Sequence, residues 1–241
     1  MAFLVVIPAR YASSRLPGKP LCDIGGKTMI ERVYQQALQS GASRVVVATD
    51  DARVAAAVDS FGGEVCMTSA AHNSGTERLA EVVQKLGLAA EMVVVNVQGD
   101  EPFQDPKSLK DLVAVFERPK VKMASLMCRI SEDEAYNPNA VKVVVDDSSN
   151  AIYFSRSPIP FNREKLRDIY YWKHIGVYAY TRELLAEFTS WPKGYLEEVE
   201  MLEQLRLIER GIKIKMVETS HQAISIDTQE DLDRARNFLK S

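Results

Sequence analysis

The chain has 241 residues, of which 46% are apolar and 26% charged, a balance that supplies a core without disulfide or metal staples. A net charge of -3 excludes a general attraction to nucleic acid or anionic membrane, so phosphate binding must come from a local basic cluster. Cys22, Cys66 and Cys128 form no C-x-x-C pair, and His72, His174 and His221 are scattered, which excludes zinc-site spacing and predicts reduced thiols.

Residues 3–7 are a continuous apolar run rich in β-branched side chains, which predicts a strand buried on both faces. This run is too short for a signal segment, and no other run approaches a membrane span, so a cytoplasmic protein is expected. A loop rich in Ser, Pro, Gly and basic residues follows over 8–27. The spacing of Met29, Ile30, Val33, Ala37 and Leu38 predicts a helix over 28–40, with Gly41 just past its end. Residues 44–48 read as a strand, 51–61 as a helix stopped by Gly62 and Gly63, and 64–67 as a short strand. Ser74 or Thr76 caps a helix reaching about Lys85, and 92–97 is a fourth buried strand. Strand and helix alternate throughout, which predicts βαβ units and a parallel sheet. Ligands in such sheets lie beyond the carboxyl ends of the strands. The loops 8–27 and 98–102 are therefore expected to face one another across a site.

The second half changes character. Residues 121–129 read as a strand, and 140–146 with 151–155 as a hairpin turning on 147–150. A further strand is expected over 171–180, an amphipathic helix over 196–210 closed by Gly211, and a strand over 212–218. The last helix, 228–239, is capped by Thr228 with Asp231 three residues on. No linker or repeat divides the chain. The expectation is one α/β domain over 1–241, three-layered around a mostly parallel sheet, with a β-rich insertion over about 121–180.

Two loops carry chemistry. Arg10, Arg15 and Lys19 fall within ten residues of one another, and Gly18, Gly25 and Gly26 allow close backbone approach, a composition suited to a polyphosphate. The pattern is neither G-x-x-x-x-G-K-[ST] nor G-x-G-x-x-G, and composition alone is equally compatible with a solvated basic loop. Asp100 and Glu101 stand at the end of a buried strand, where carboxylates suit magnesium or simply form an acidic turn. Asp227 follows the apolar stretch 223–226 and either faces the same cleft or complements a helix N-terminus. Serine hydrolysis has no support, because no G-x-S-x-G elbow is present.

The segment Ile7-Pro-Ala-Arg-Tyr-Ala-Ser-Ser-Arg-Leu-Pro-Gly-Lys-Pro-Leu21 resembles the signature of the 3-deoxy-manno-octulosonate cytidylyltransferases, the CMP-Kdo synthetases. The resemblance extends through Val47-Ala-Thr-Asp50, Ser74-Gly-Thr-Glu-Arg-Leu-Ala80, Val95-Asn-Val-Gln-Gly-Asp-Glu-Pro102, Asn137-Pro-Asn-Ala-Val-Lys-Val143, His174-Ile-Gly-Val-Tyr178, Leu202-Glu-Gln-Leu-Arg206 and Asp227-Thr228, nearly the whole chain. It implies a nucleotide-diphospho-sugar transferase-like fold. The implied reaction is CTP plus Kdo giving CMP-Kdo and pyrophosphate, for lipopolysaccharide synthesis, with Mg2+ required. By the same resemblance Arg10, Lys19 and, more weakly, Arg15 hold the triphosphate. Ser74, Gly75 and Arg78 meet the cytosine or its ribose, and Gln98 meets nucleotide or sugar. Asp100 and Asp227 hold the metal. Arg156, His174, Tyr178, Glu203 and Gln204 receive the sugar. Core packing for Tyr178 and a surface position for Glu203 and Gln204 are the competing readings. A homodimer is implied as well, with the region 137–153 as its expected contact.

Two departures stand out. The segment 161–171 is short relative to many family members, which leaves Kdo against its 8-amino form open. A glycine common before the Asp-Thr pair is also missing from 221–225. The alternatives carried forward are a cytidylyltransferase for another acid sugar, such as a sialic acid, and a non-catalytic nucleotide-binding protein that keeps the fold. The latter is expected to have lost Lys19, Asp100 or Asp227.

Overall fold

A computed structural model describes residues 1–12, 15–118, 120–166, 169–221 and 225–239. In chain order the elements are β1 (Phe3–Pro8), α1 (Met29–Gln39), β2 (Arg44–Thr49), α2 (Ala52–Ser60), β3 (Glu64–Met67), α3 (Gly75–Lys85), β4 (Val93–Asn96), α4 (Pro106–Ala114) and β5 (Met123–Ile130). They continue with α5 (Glu132–Ala135), β6 (Lys142–Val145), β7 (Ala151–Ser155), β8 (Tyr171–Thr181), α6 (Arg182–Ser190), α7 (Tyr195–Glu200), α8 (Leu205–Glu209), β9 (Lys215–Glu218) and α9 (Gln229–Phe238).

Local chemistry sets most helix starts. Thr28 accepts from the Glu31 amide, Asp51 from that of Arg53, and Ser74 from that of Glu77, each satisfying an amide with no partner inside its helix. Ser74, not Thr76, is thus the cap of α3. Gly41 takes the left-handed conformation expected just past a helix end.

The strands join one mixed sheet in the order β3-β2-β1-β4-β8-β5-β9, with β6 paired to β8 and to β7. β1, β2, β3 and β4 are parallel neighbours, β8 runs antiparallel between β4 and β5, and β9 is parallel to β5. Alternate side chains of β1 enter opposite cores. Val5 and Ile7 pack with Ile30, Val33 and Leu109 from α1 and α4, whereas Leu4 and Val6 pack with Leu79, Val82 and Leu185 from α3 and α6. This is the three-layer α/β arrangement expected from the alternation.

Several expectations need correction. β5 and β8 are integral strands of the sheet, so only β6 and β7, the hairpin turning on 147–150, extend from it. Helix 196–210 is two helices, because Met201 takes a left-handed conformation (φ 53°) and ends α7. The strand over 212–218 begins only at Lys215. Part of the apolar stretch 223–226 lies outside the described residues, as do two positions each of the basic loop and of the segment 161–171.

Candidate active site

The strand order reverses at β1. Its connection leads outward to β2 and β3, and the chain then returns to place β4 on the other side of β1. A switch point of this kind opens a crevice between the carboxyl ends of two parallel strands. The loops leaving β1 and β4 touch here. A Cβ on Gly99 would stand 2.7 Å from the Pro8 carbonyl oxygen, so only glycine permits this approach. In the first loop, left-handed Gly18 (φ 69°) makes the turn that delivers Lys19 inward.

The loops frame a cleft of about 370 Å³, within the range of small-ligand sites. Arg10, Arg15 and Lys19 line it from the first loop, Ser74, Gly75 and Arg78 from the start of α3, Gln98 and Asp100 from the loop after β4, and Asp227 from the segment before α9. Every residue expected to meet nucleotide or metal is therefore brought together. Asp227 arrives because the Ile226 amide donates to the Asp100 carbonyl at 3.0 Å.

Charge in the cleft centres on Lys19. Its ammonium donates to Asp100 Oδ2 at 2.6 Å and to Asp227 Oδ1 at 2.9 Å, while Arg15 Nη2 lies 3.0 Å from the same Asp227 oxygen. Burial works to lower the Lys19 pKa, but the two carboxylates overcome it and hold the ammonium above the ordinary lysine value. The locus between Asp100 and Asp227 is thus already a cation-binding position. Among the described residues no group of three or more His, Cys, Asp or Glu side chains could by itself hold a metal. Two carboxylates completed by substrate phosphates and water form a donor set that fits Mg2+.

On the α3 side, Arg78 is 1% exposed yet lines the cleft. Its Nη1 donates to the Thr68 hydroxyl, and its Nη2 lies 3.5 Å from Asp50 with no hydrogen-bond partner. A buried guanidinium nitrogen without a hydrogen-bond partner is a donor that a ligand can satisfy.

The residues expected at the sugar fall into two groups. Tyr178 and Gln204 meet, the phenol donating to Gln204 Oε1 at 3.2 Å, and Gln98 Nε2 reaches the nearby Gly176 carbonyl at 3.4 Å. Burial, then Glu203 and Glu101, push the Tyr178 phenol well above its ordinary pKa, so it remains a donor. Glu203 accepts from the Thr76 hydroxyl at 2.6 Å. The break after Met201 puts Glu203 and Gln204 between α7 and α8, and Gln204 is buried, not on a surface helix.

None of the five residues expected at the sugar lines the cleft itself; Tyr178, Glu203 and Gln204 are tied to its neighbours, whereas His174 and Arg156 are held elsewhere. The His174 ring is buried against Phe154, and its Nε2 pairs with Ser125 Oγ at 2.9 Å. Burial lowers its pKa to about 3, so it is neutral. The Arg156 guanidinium donates to the carbonyls of Pro138, Glu200 and Met201, fastening β7 to the chain around α7.

Glu101 also departs from expectation. Asp100 faces the cleft, but Glu101 turns inward to 7% exposure, and its Oε2 has no hydrogen-bond partner. Burial and then Asp100 raise its pKa to about 8. Sequence reasoning missed Thr76 as a contact. Its position one residue past Gly75 was the available signal.

Residues 4–214 match the Cytidylyltransferase family. The 3-deoxy-manno-octulosonate cytidylyltransferases of Vibrio parahaemolyticus and Actinobacillus succinogenes are 50% and 49% identical to this chain. The first alignment covers 99% of this chain and 98% of the relative, the second 98% of each. A solved CMP:2-keto-3-deoxy-manno-octonic acid synthetase complexed with CTP superposes with a TM-score of 0.94 at 45% identity, covering 100% of this chain and 99% of that one. The chain belongs to the cytidylyltransferase family and, within it, to the 3-deoxy-manno-octulosonate cytidylyltransferases.

Proposed function

We propose that this protein transfers the cytidylyl group of CTP to Kdo, giving CMP-Kdo and pyrophosphate for lipopolysaccharide synthesis. The observation that carries the reading is one cleft in which Arg10, Arg15 and Lys19 stand against Asp100 and Asp227 at a switch point. The anomeric oxygen of Kdo forms a bond to the α-phosphorus as the bond to the bridging oxygen of pyrophosphate breaks, and the hydroxyl proton leaves to solvent. Such a displacement needs alignment and charge neutralisation more than covalent help from the protein.

Arg10, Arg15 and Lys19 hold the triphosphate and neutralise the leaving pyrophosphate. Lys19 is suited to this because its ammonium is a point charge on a flexible stem, able to turn from the carboxylates toward phosphate. Ser74, Gly75 and Nη2 of Arg78, which lacks a hydrogen-bond partner, meet the cytosine and its ribose. Asp100 and Asp227 would hold Mg2+, which when bound neutralises the α-phosphate and lowers the pKa of the sugar hydroxyl. Gln98, Tyr178, Glu203 and Gln204 receive the sugar. His174 supports Tyr178 from a ring-centroid distance of 5.3 Å, and Arg156 fixes the chain leading to Glu203. The protein acts in the cytoplasm as a homodimer.

The test is pyrophosphate release from CTP and Mg2+ with Kdo, 8-amino-Kdo or N-acetylneuraminate as acceptor. Release is expected with Kdo. Release only with N-acetylneuraminate would move the reading to a sialic acid, and none with any acceptor would leave a nucleotide-binding protein.

A further inference from the structure

Base-side and sugar-side residues stand on elements far apart in sequence. Ser74 and Gly75 open α3, whereas Glu203 and Gln204 occupy the break between α7 and α8. One side-chain bond joins them directly: Thr76 Oγ1 donates to Glu203 Oε2 at 2.6 Å.

Three features set this bond apart. Thr76 is 3% exposed, so water does not compete for its hydroxyl. A threonine in a helix commonly turns its hydroxyl back onto a local carbonyl, but this one reaches a carboxylate 127 positions along the chain. Glu203 is also braced from behind, its Oε1 lying 3.8 Å from Arg206 Nη2. Arg206 is in turn clamped by Glu197 through two 2.6 Å bonds and by the carbonyls of Phe188 and Trp191. The Glu203 carboxylate therefore accepts from the first turn of α3 on one side and faces a clamped guanidinium on the other. The next residue, Gln204, keeps a buried Nε2 without a partner, a donor that a ligand would satisfy.

We propose that Thr76 is a positioning residue that locks Glu203, and with it Gln204, to the turn that reads the base. Resting on the sugar-binding reading of Glu203 and Gln204, this makes acid-sugar affinity depend on a residue that touches no sugar. Nucleotide and sugar are held in register through α3.

The test compares the full-length protein with Thr76→Val, Thr76→Ser, Glu203→Ala and the double variant Thr76→Val with Glu203→Ala. The KM values for Kdo and CTP, kcat and Tm are measured for each. Valine keeps the shape and removes the donor, and loss of a hydrogen bond to a charged group is expected to raise the KM for Kdo about tenfold. The KM for CTP should stay within about twofold, Thr76→Ser should recover wild-type behaviour, and Thr76→Val should add nothing once Glu203 is alanine, since the two act as one unit. An unchanged KM for Kdo in Thr76→Val overturns the proposal. So does a joint rise in both KM values with a lowered Tm that serine does not rescue. Failure of the wild type to turn over Kdo sinks the functional reading itself, an outcome separate from either of these.

Discussion

Replacing Glu101 by glutamine should stabilise the protein in a way that grows with pH. Burial and the neighbouring Asp100 charge raise the Glu101 pKa from 4.5 to about 8. An acid whose folded pKa lies above its unfolded value behaves oppositely to an ion-paired carboxylate. Below about pH 4.5 the group is protonated in both states and contributes nothing. Between 4.5 and about 8 the unfolded chain releases the proton while the fold retains it, so stability falls with rising pH. Above about 8 both states are ionised and the penalty levels off at its full value. Each pKa unit corresponds to about 1.4 kcal/mol, which sets an upper limit of roughly 5 kcal/mol for a shift of this size. Glutamine keeps the volume and carries no charge at any pH. Urea unfolding of both proteins from about pH 5 to about pH 9 reads Glu101 together with the charges coupled to it, because the titrations of groups that do not interact with it cancel in the difference. The variant's advantage should be small at the acid end, widen through neutrality and flatten near pH 8. A difference that does not change with pH would refute the reasoning.

The metal and polyphosphate roles yield two further expectations. Asp100→Asn, which keeps the shape of the side chain but removes a charged ligand, should nearly abolish turnover while Tm and CTP-free spectra stay close to wild type. Normal turnover would remove Asp100 from the metal site. Lys19→Ala should lower kcat/KM for CTP by roughly a hundredfold or more, the usual effect of deleting one preorganised charge from a displacement, and an unchanged value would take Lys19 out of the mechanism.

Elements that advertise themselves by period and cap were readable from the residues, and those decided by distant partners were not. β1 and β4 are buried runs rich in β-branched residues, and Thr28, Ser74 and Thr228 sit where caps belong. α4 went unassigned although Asp105 caps it and Pro106 opens it, a pairing that does signal a helix start. α6 is short and follows β8 with only Thr181 to mark it. The break after Met201 has no glycine or proline to announce it, so Glu203 and Gln204 read as one side of a long helix. In the cleft, Arg10, Arg15, Lys19 and Asp100 were legible as candidates because they cluster in two loops at strand ends, whereas Ser74, Gly75 and Arg78 at the start of α3 stood out only through the family resemblance, and Asp227 had a second reading at a helix N-terminus. His174 and Arg156 were not legible, since what holds each one is settled by contacts with Ser125, Phe154 and three carbonyls that no local pattern encodes.

The sheet's mixed direction explains how residues so dispersed in sequence reach one edge. β5 is antiparallel to β8 and therefore runs with β4, and β9 runs with β5. The carboxyl ends of β1, β4, β5 and β9 thus share one edge of the sheet, and Asp227 is brought beside Asp100 at that edge by the Ile226 amide. β8 runs the other way, and its pairing of Tyr178 with Asn96 sets the register. The half of β8 before Tyr178 lies toward the cleft edge, and the half after it lies at the opposite edge. That places Gly176 where Gln98 can reach its carbonyl and Tyr178 where it can meet Gln204. A parallel strand in the same position would instead present its closing residues, Thr181 among them, to the cleft. The reversed strand is what brings Gly176 within reach of Gln98, beside the loop after β4. The cleft between β1 and β4 follows the ordinary logic of parallel strand ends, while the positions of Gly176 and Tyr178 beside it depend on one strand inserted against that direction.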